Sequence, residues 1–131
     1  QVLENSSKPY FNFSLESIKS ESSVLITEFK NQQSVFFFTK PKDLNLPKGI
    51  IKKVVSKTKN GFSIILTSDV LQKDVFLFSK EKGHFSDNFF DLIPNQNKVI
   101  KFITKENSLN DLRINTLNSI HNTLLPIEKN P

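Results

Sequence analysis

The dipeptide Asn60-Gly61 stands between two runs of strand-forming residues, 50–58 and 62–68. Asn and Gly both accept positive φ, and a two-residue Asn-Gly connection suits the twist of two antiparallel strands. A β-hairpin is therefore expected, with Asn60 and Gly61 as its turn. In the second arm Phe62, Ile64 and Leu66 fall on one face and Ser63 and Thr67 on the other. Ile65 breaks the alternation, which implies that both faces are partly covered. A lone hairpin buries nothing, so other strands must do the covering.

Residues 23–29 and 34–39 read as two such strands, joined by the polar residues 30–33. Phe36, Phe37 and Phe38 are consecutive, which suggests a strand covered on both faces. A weaker alternation starting at Tyr10 places a first strand near 10–19. Pro41 and Pro47 bracket Leu44 and Leu46; without full hydrogen-bonding capacity, 40–47 should run extended along an edge or between sheets. Residues 73–79, 98–104 and 111–117 complete the strands, with a turn at 80–83, and no segment carries a convincing helical period. The expected fold is all-β, an immunoglobulin-like antiparallel β-sandwich of about seven to eight strands. A chain of 131 residues suits one core, and its 13 Phe would fill it in place of the Cys and Trp of antibody domains, which are absent. The sandwich is expected over 35–117, with 1–34 a leading strand region or the end of a preceding domain, and 118–131 a partly disordered tail.

One stretch, 85–94, gathers heavy apolar residues between short polar ones and stops at a proline. Phe85, Phe89 and Phe90 are expected to be buried, while Ser86, Asp87, Asn88 and Asp91 bond nearby backbone where the chain turns before Pro94. Two carboxylates close in sequence are also what glycoside hydrolysis uses, one protonating the leaving group and the other attacking or activating water. Asp87 and Asp91, with Asp69 and Asp74 before them, all sit at expected turns or strand ends, where Asp is common for backbone reasons alone. A calcium site from Asp87, Asn88 and Asp91 would have the right oxygen chemistry, but the spacing matches no known loop. No catalytic, metal or cofactor residue is assigned.

Other chemistries find little support. His84 and His121 are the only histidines and there is no Cys, so neither zinc coordination nor a nucleophilic triad is indicated. Gly49, Gly61 and Gly83 stand apart and form no phosphate loop. The formal charge is +5, yet Arg113 is the single arginine and the lysines spread along the chain. A solvated surface is expected rather than a nucleic-acid site. Sugar platforms favour Trp and Tyr, and this chain offers only Tyr10, its phenylalanines being expected in the core. No apolar run approaches the roughly 20 residues that span a bilayer, so no membrane partner is expected. The chain lacks Met and begins at Gln1, as a piece of a longer or processed protein would. Without Cys the compartment stays open; a periplasmic or secreted bacterial parent is the expectation. Asn5 and Asn12 begin N-x-S triplets too short to carry weight.

In order along the chain, residues 35–47, 62–68, 73–77 and above all 85–94 resemble the C-terminal immunoglobulin-like domain of β-mannosidases of glycoside hydrolase family 2. The likeness runs from about Val35 to Leu117. It departs at Asn95, where the family often has glycine, a change that left-handed turn geometry tolerates. The resemblance implies a multidomain parent that removes terminal β-linked mannose with two glutamates of a (β/α)₈ barrel absent from this chain. It further implies a non-catalytic structural role here, with the parent's other domains as partners and mannose-containing oligosaccharides met through the parent. A carbohydrate-binding module, marked by Tyr10 or an exposed Phe cluster on a sheet, and an adhesion or interaction module without a hydrolase parent are the alternatives.

Overall fold

The computed structural model describes residues 4–9 and 11–124, the last four for their backbone alone. Tyr10 and residues 125–131, part of the expected tail, lie outside the described residues. The chain divides into two compact units, 1–45 and 46–131, so Val35, where the sandwich was expected to begin, falls inside a strand of the first unit.

In the first unit β1 (Val24–Phe29) and β2 (Gln32–Phe37) form an antiparallel hairpin closed by the pair Phe29 and Gln32. Its turn is only Lys30 and Asn31, at φ 47° and 64°. The pair of positive φ values gives the primed turn that matches strand twist, and Gln32 and Gln33 join the ladder rather than the loop. The strand expected near 10–19 is not formed among the described residues, which turn at 16–17 and 20–22 instead. Nor is β2 covered on both faces: Phe36 is 58% exposed, since two strands give each other one neighbour and no second layer. A 3-10 turn at Pro41–Asp43 follows, and the Asn45 N–H donates to the Glu21 carbonyl at 2.8 Å.

The described residues of the second unit form a two-layer antiparallel sandwich of seven strands. One sheet has the order β3 (Ile51–Thr58), β4 (Gly61–Ser68), β8 (Lys98–Ile103), β6 (His84–Phe85); the other has β7 (Phe90–Leu92), β5 (Gln72–Phe78), β9 (Arg113–Asn115). Phe62, Ile64 and Leu66 of β4 and Ile100 and Phe102 of β8 meet Val75 and Leu77 of β5 and Phe90 and Leu92 of β7 in one core. Alternation along β4 is as expected, with Ser63, Ile65 and Thr67 half-buried between fully buried neighbours. Burial of each such side chain contributes roughly 1.5–3 kcal/mol relative to exposure.

The β3–β4 hairpin forms, but its turn is displaced by one residue. Thr58 pairs with Gly61, so the loop is Lys59 and Asn60, and positive φ falls on Gly61 alone, at 131°. A Cβ at Gly61 would lie 2.1 Å from the Phe102 carbonyl oxygen of β8. The glycine is thus required both by the backbone angle and by the close approach of a neighbouring strand. On β3, Lys53, Val55 and Lys57 share the inward face with Leu66, Ile64 and Phe62, yet they remain exposed. Beyond Ile51, which packs against the core, β3 is left uncovered, and lysines on its inner face blunt an otherwise open sheet edge.

A helix, α1 (Leu117–Leu124), follows β9 where a tail without period was expected. It starts in a reciprocal cap. The Ser119 N–H donates to Thr116 Oγ1 and the Thr116 N–H to Ser119 Oγ, each at 3.2 Å, a capping box with Ser in the position usually held by Glu or Gln. Asn118, 2% exposed, fastens the helix to the sandwich. Its amide donates to the Pro47 and Leu71 carbonyls at 2.9 and 2.8 Å, and its oxygen accepts the Lys73 N–H at 2.9 Å. Beside it a buried chain of side chains runs from Thr116 Oγ1 to Gln72 and from Gln72 to Ser68 Oγ. No described helix is long and apolar enough to cross a membrane.

At the opposite end Glu81 ties two loops together. One of its oxygens accepts from the Ser79 hydroxyl and the other from the N–H groups of Asn110 and Asp111, at 2.9 and 3.4 Å. The Ser79 bond, followed by the backbone donors, holds the carboxyl at about 2 instead of the ordinary 4.5. A carboxyl depressed on folding stabilises the fold fully above its unfolded value, and this is lost as pH falls through the folded value. Glu81→Gln should therefore lower the thermal midpoint at neutral pH, and its deficit against wild type should shrink between pH 4.5 and 2. In the core, Phe102→Ala is expected to cost about 3–5 kcal/mol by urea denaturation.

Candidate functional site

Residues 85–94 carry the chain from one layer of the sandwich to the other. His84–Phe85 pairs with β8 in the four-stranded sheet; Phe90–Leu92 pairs with β5 in the three-stranded one. Phe85 packs its ring 4.7 Å from that of Phe102 before the chain leaves the first sheet. Ser86 makes the last ladder contacts there, its N–H donating to the Lys101 carbonyl and its hydroxyl accepting the Lys101 N–H.

At Asn88 the backbone is not yet in the second sheet, but the side chain is. Phe90 pairs with Val75, so continued antiparallel register would set residue 88 opposite Leu77. The Asn88 carboxamide fills that place. Its oxygen accepts the Leu77 N–H at 2.7 Å and its nitrogen donates to the Leu77 carbonyl at 2.9 Å. A carboxamide has the donor and acceptor of a peptide group, and here it extends the ladder by one pair while the main chain turns. Asp87 accepts the Asn88 N–H at 2.9 Å and pairs with Lys98 at 2.7 Å.

The second acid serves a bulge. Gln72 pairs with Leu92 and Val75 with Phe90, so Lys73 and Asp74 together oppose the single residue Asp91, with Asp74 at φ 50°. Asp91 Oδ1 accepts the Asp74 N–H left over at the bulge and the Lys73 ammonium, each at 3.0 Å. Lys73 also meets Asp74 at 2.6 Å. Burial pulls the Lys73 pKa down, but the bonds and charges of Asp74 and Asp91 outweigh it and the group ends above its ordinary value. Ile93 is buried and Pro94 half-buried; Asn95 takes φ 59° and donates its N–H to the Ser68 carbonyl at 2.7 Å. Asn thus occupies the left-handed position that glycine would fill more easily.

Of the residues singled out from sequence, Phe90 is buried and Phe85 partly so, but Phe89 is 68% exposed at φ 57°. Its burial was expected from its size, and the crossing overrides that. A chain leaving one sheet for the other within four residues must reverse its pleat, and the reversal turns Phe89 outward, where it stacks on Phe76 with ring centroids 4.8 Å apart. Asp87, Asn88 and Asp91 do not converge on a common point; each is engaged with a different partner. Among the described residues no group of three or more His, Asp or Glu is arranged to hold a metal ion. His84 is exposed in β6, and the side chain of His121 lies outside the described residues.

The lysines are less dispersed than their spacing suggests. Lys57, Lys59, Lys82 and Lys105 line one open groove of about 820 Å³ at the hairpin end of the sandwich, with Glu106 the one acid among its walls. The fold collects them from three separate connections, and no pattern within any one of these segments points to the others.

Seven antiparallel strands in two layers, with a strand that changes layers through 86–89, define an immunoglobulin-like β-sandwich. The family model of the mannosidase Ig-fold domain matches residues 44–120. That is more than half of the chain, and the chain belongs to this family of Ig-fold domains. No curated protein matches it.

The corner separates two kinds of substitution. Asn88→Ala leaves the Leu77 N–H and carbonyl without partners and should cost about 1–3 kcal/mol, with faster amide exchange at Leu77. Phe89→Ala forfeits mainly one ring contact, about 0.5–1.5 kcal/mol, far below the loss for a core phenylalanine. Urea denaturation of both variants checks the order.

Proposed function

We propose that this domain is a non-catalytic structural module of a multidomain β-mannosidase-like enzyme of glycoside hydrolase family 2, whose parent removes terminal β-linked mannose. The observation that carries the reading is the family match over 44–120. The side chains add to it: Asp87 and Asp91, the two acids of the 85–94 stretch, are engaged with Lys98 and with Lys73 and the Asp74 N–H. Retaining hydrolysis needs one carboxyl free to protonate and one free to attack, and neither acid is in that state. In this reading the barrel lies elsewhere in the parent chain, residues before the sandwich lead in from the preceding domain, and the parent's other domains are the partners.

Gene and enzyme together test this. The reading frame before Gln1 is expected to encode a barrel with a pair of glutamates, and the whole protein to hydrolyse a chromogenic β-mannoside. The 131-residue chain should release no product above a heat-killed control. Turnover by the isolated chain, or a gene with no hydrolase domain, would sink the proposal.

A further inference from the structure

Three phenylalanines of the sandwich stand outside its core on one face. Val75 and Leu77 of β5 point inward, 0% and 1% exposed, so the pleat turns Phe76 and Phe78 to the outer face of the β7–β5–β9 sheet. Phe78 is 42% exposed. Phe89 joins them from the corner, its ring within 28° of parallel to that of Phe76. The fold does not account for Phe89. The corner is held by the Asn88 side chain, and a left-handed φ suits Gly or Asn while straining an aromatic residue. Exposing a large ring at a strained position stabilises nothing in the isolated chain beyond one stack.

We propose that Phe78 and Phe89, with the half-buried Phe76 stacked against Phe89, form a stacking platform for the pyranose rings of a neutral oligosaccharide. A pyranose presents a flat C–H face to an aromatic ring and hydroxyls around its edge, so it needs a planar apolar surface with polar groups alongside. Register supplies those groups. Asn115 pairs with Phe76 and Arg113 with Phe78, and directly paired residues share a face. Asn115 and Arg113 are exposed. Arg113 uses Nε on Asp111 Oδ1 at 3.1 Å, which orients its terminal nitrogens as further donors. At 42% and 68% exposure Phe78 and Phe89 offer on the order of 200 Å² of ring surface, short of the roughly 800 Å² per partner of a stable protein interface. They match one or two sugar rings instead. Bound sugar would account for the exposed ring at the strained position. The choice of mannose as the sugar rests on the hydrolase reading above; the platform itself does not.

The test is an amide-shift titration of the ¹⁵N-labelled 131-residue chain with β-1,4-mannohexaose and, separately, cellohexaose at millimolar concentration. Shifts should gather in β5, β9 and residues 86–90. Phe78→Ala and Phe89→Ala should each weaken binding about tenfold, the loss of one ring stack, while Phe89→Tyr retains it. Thermal unfolding confirms that the variants stay folded. Cellohexaose binding without mannohexaose binding supports the platform and counts against mannose. Absence of shifts with either sugar, or shifts untouched by Phe89→Ala, overturns the platform. So does sedimentation showing that the chain self-associates through this face and that Phe89→Ala abolishes the association.

Discussion

The two hydrogen bonds between the Asn88 carboxamide and the Leu77 backbone hold the sandwich together where the chain crosses from one sheet to the other. A strand that changes sheets must abandon one ladder before it has joined the next. In that interval its neighbours' backbone groups have no partners, and a buried N–H or carbonyl left alone is expensive. Asn88 closes the gap by lending a side chain in place of a peptide group. Because Leu77 on its other side pairs with Ile114 of β9, the same residue keeps the central strand of the smaller sheet in register with both neighbours. The core residues on either side of the crossing, Phe85 before it and Phe90 after it, reach their places only because this exchange is short.

Asp91 solves a related problem by similar means. A bulge adds a residue to one strand and so adds an N–H with no counterpart in the ladder. The carboxylate accepts that N–H, and Lys73 offsets the charge that would otherwise sit half-buried. The acids of this region therefore serve as partners of backbone N–H groups and of Lys73 and Lys98, each engaged at a different place although the two are close in sequence. The same logic recurs at the other end of the sandwich, where Asn118 satisfies two carbonyls and one N–H and so docks the helix.

Much of this architecture was legible beforehand because strand residues announce themselves by period and by type. Alternation along β4, the runs that became β5 and β8, and the proline-terminated segment at 85–94 all carried local signals. The failures share a cause, which is that local pattern does not encode the third dimension. Phe89 is as apolar as Phe90, and only the reversal of the pleat at the crossing separates them. The turn falls one residue before Asn60-Gly61 because Gly61 is already a ladder residue of β4, paired with Thr58 of β3 and with Ile103 of β8. The helix at Leu117–Leu124 escaped notice because its cap uses Ser119 where Glu or Gln is the familiar sign. The grouping of four lysines around one groove required knowing which loops meet.

The uncovered strand β3 has one more consequence. A strand usually finds its alignment because shifting it by one residue would expose a greasy face and bury a polar one. On β3 the inner face carries Ile51, Lys53, Val55 and Lys57 and the outer face Lys52, Val54 and Ser56. Ile51 alone packs against the core, so beyond it the two faces are nearly interchangeable and a shift is penalised chiefly at that one side chain. The alignment is then fixed at the strand's two ends, by Ile51 against the core and by the hairpin's closed end, where Thr58 pairs with Gly61 and Gly61 lies too near the Phe102 carbonyl for a side chain. For this edge the positional information resides at its two ends, in one apolar side chain and one residue without a side chain, the stretch between them carrying little of it.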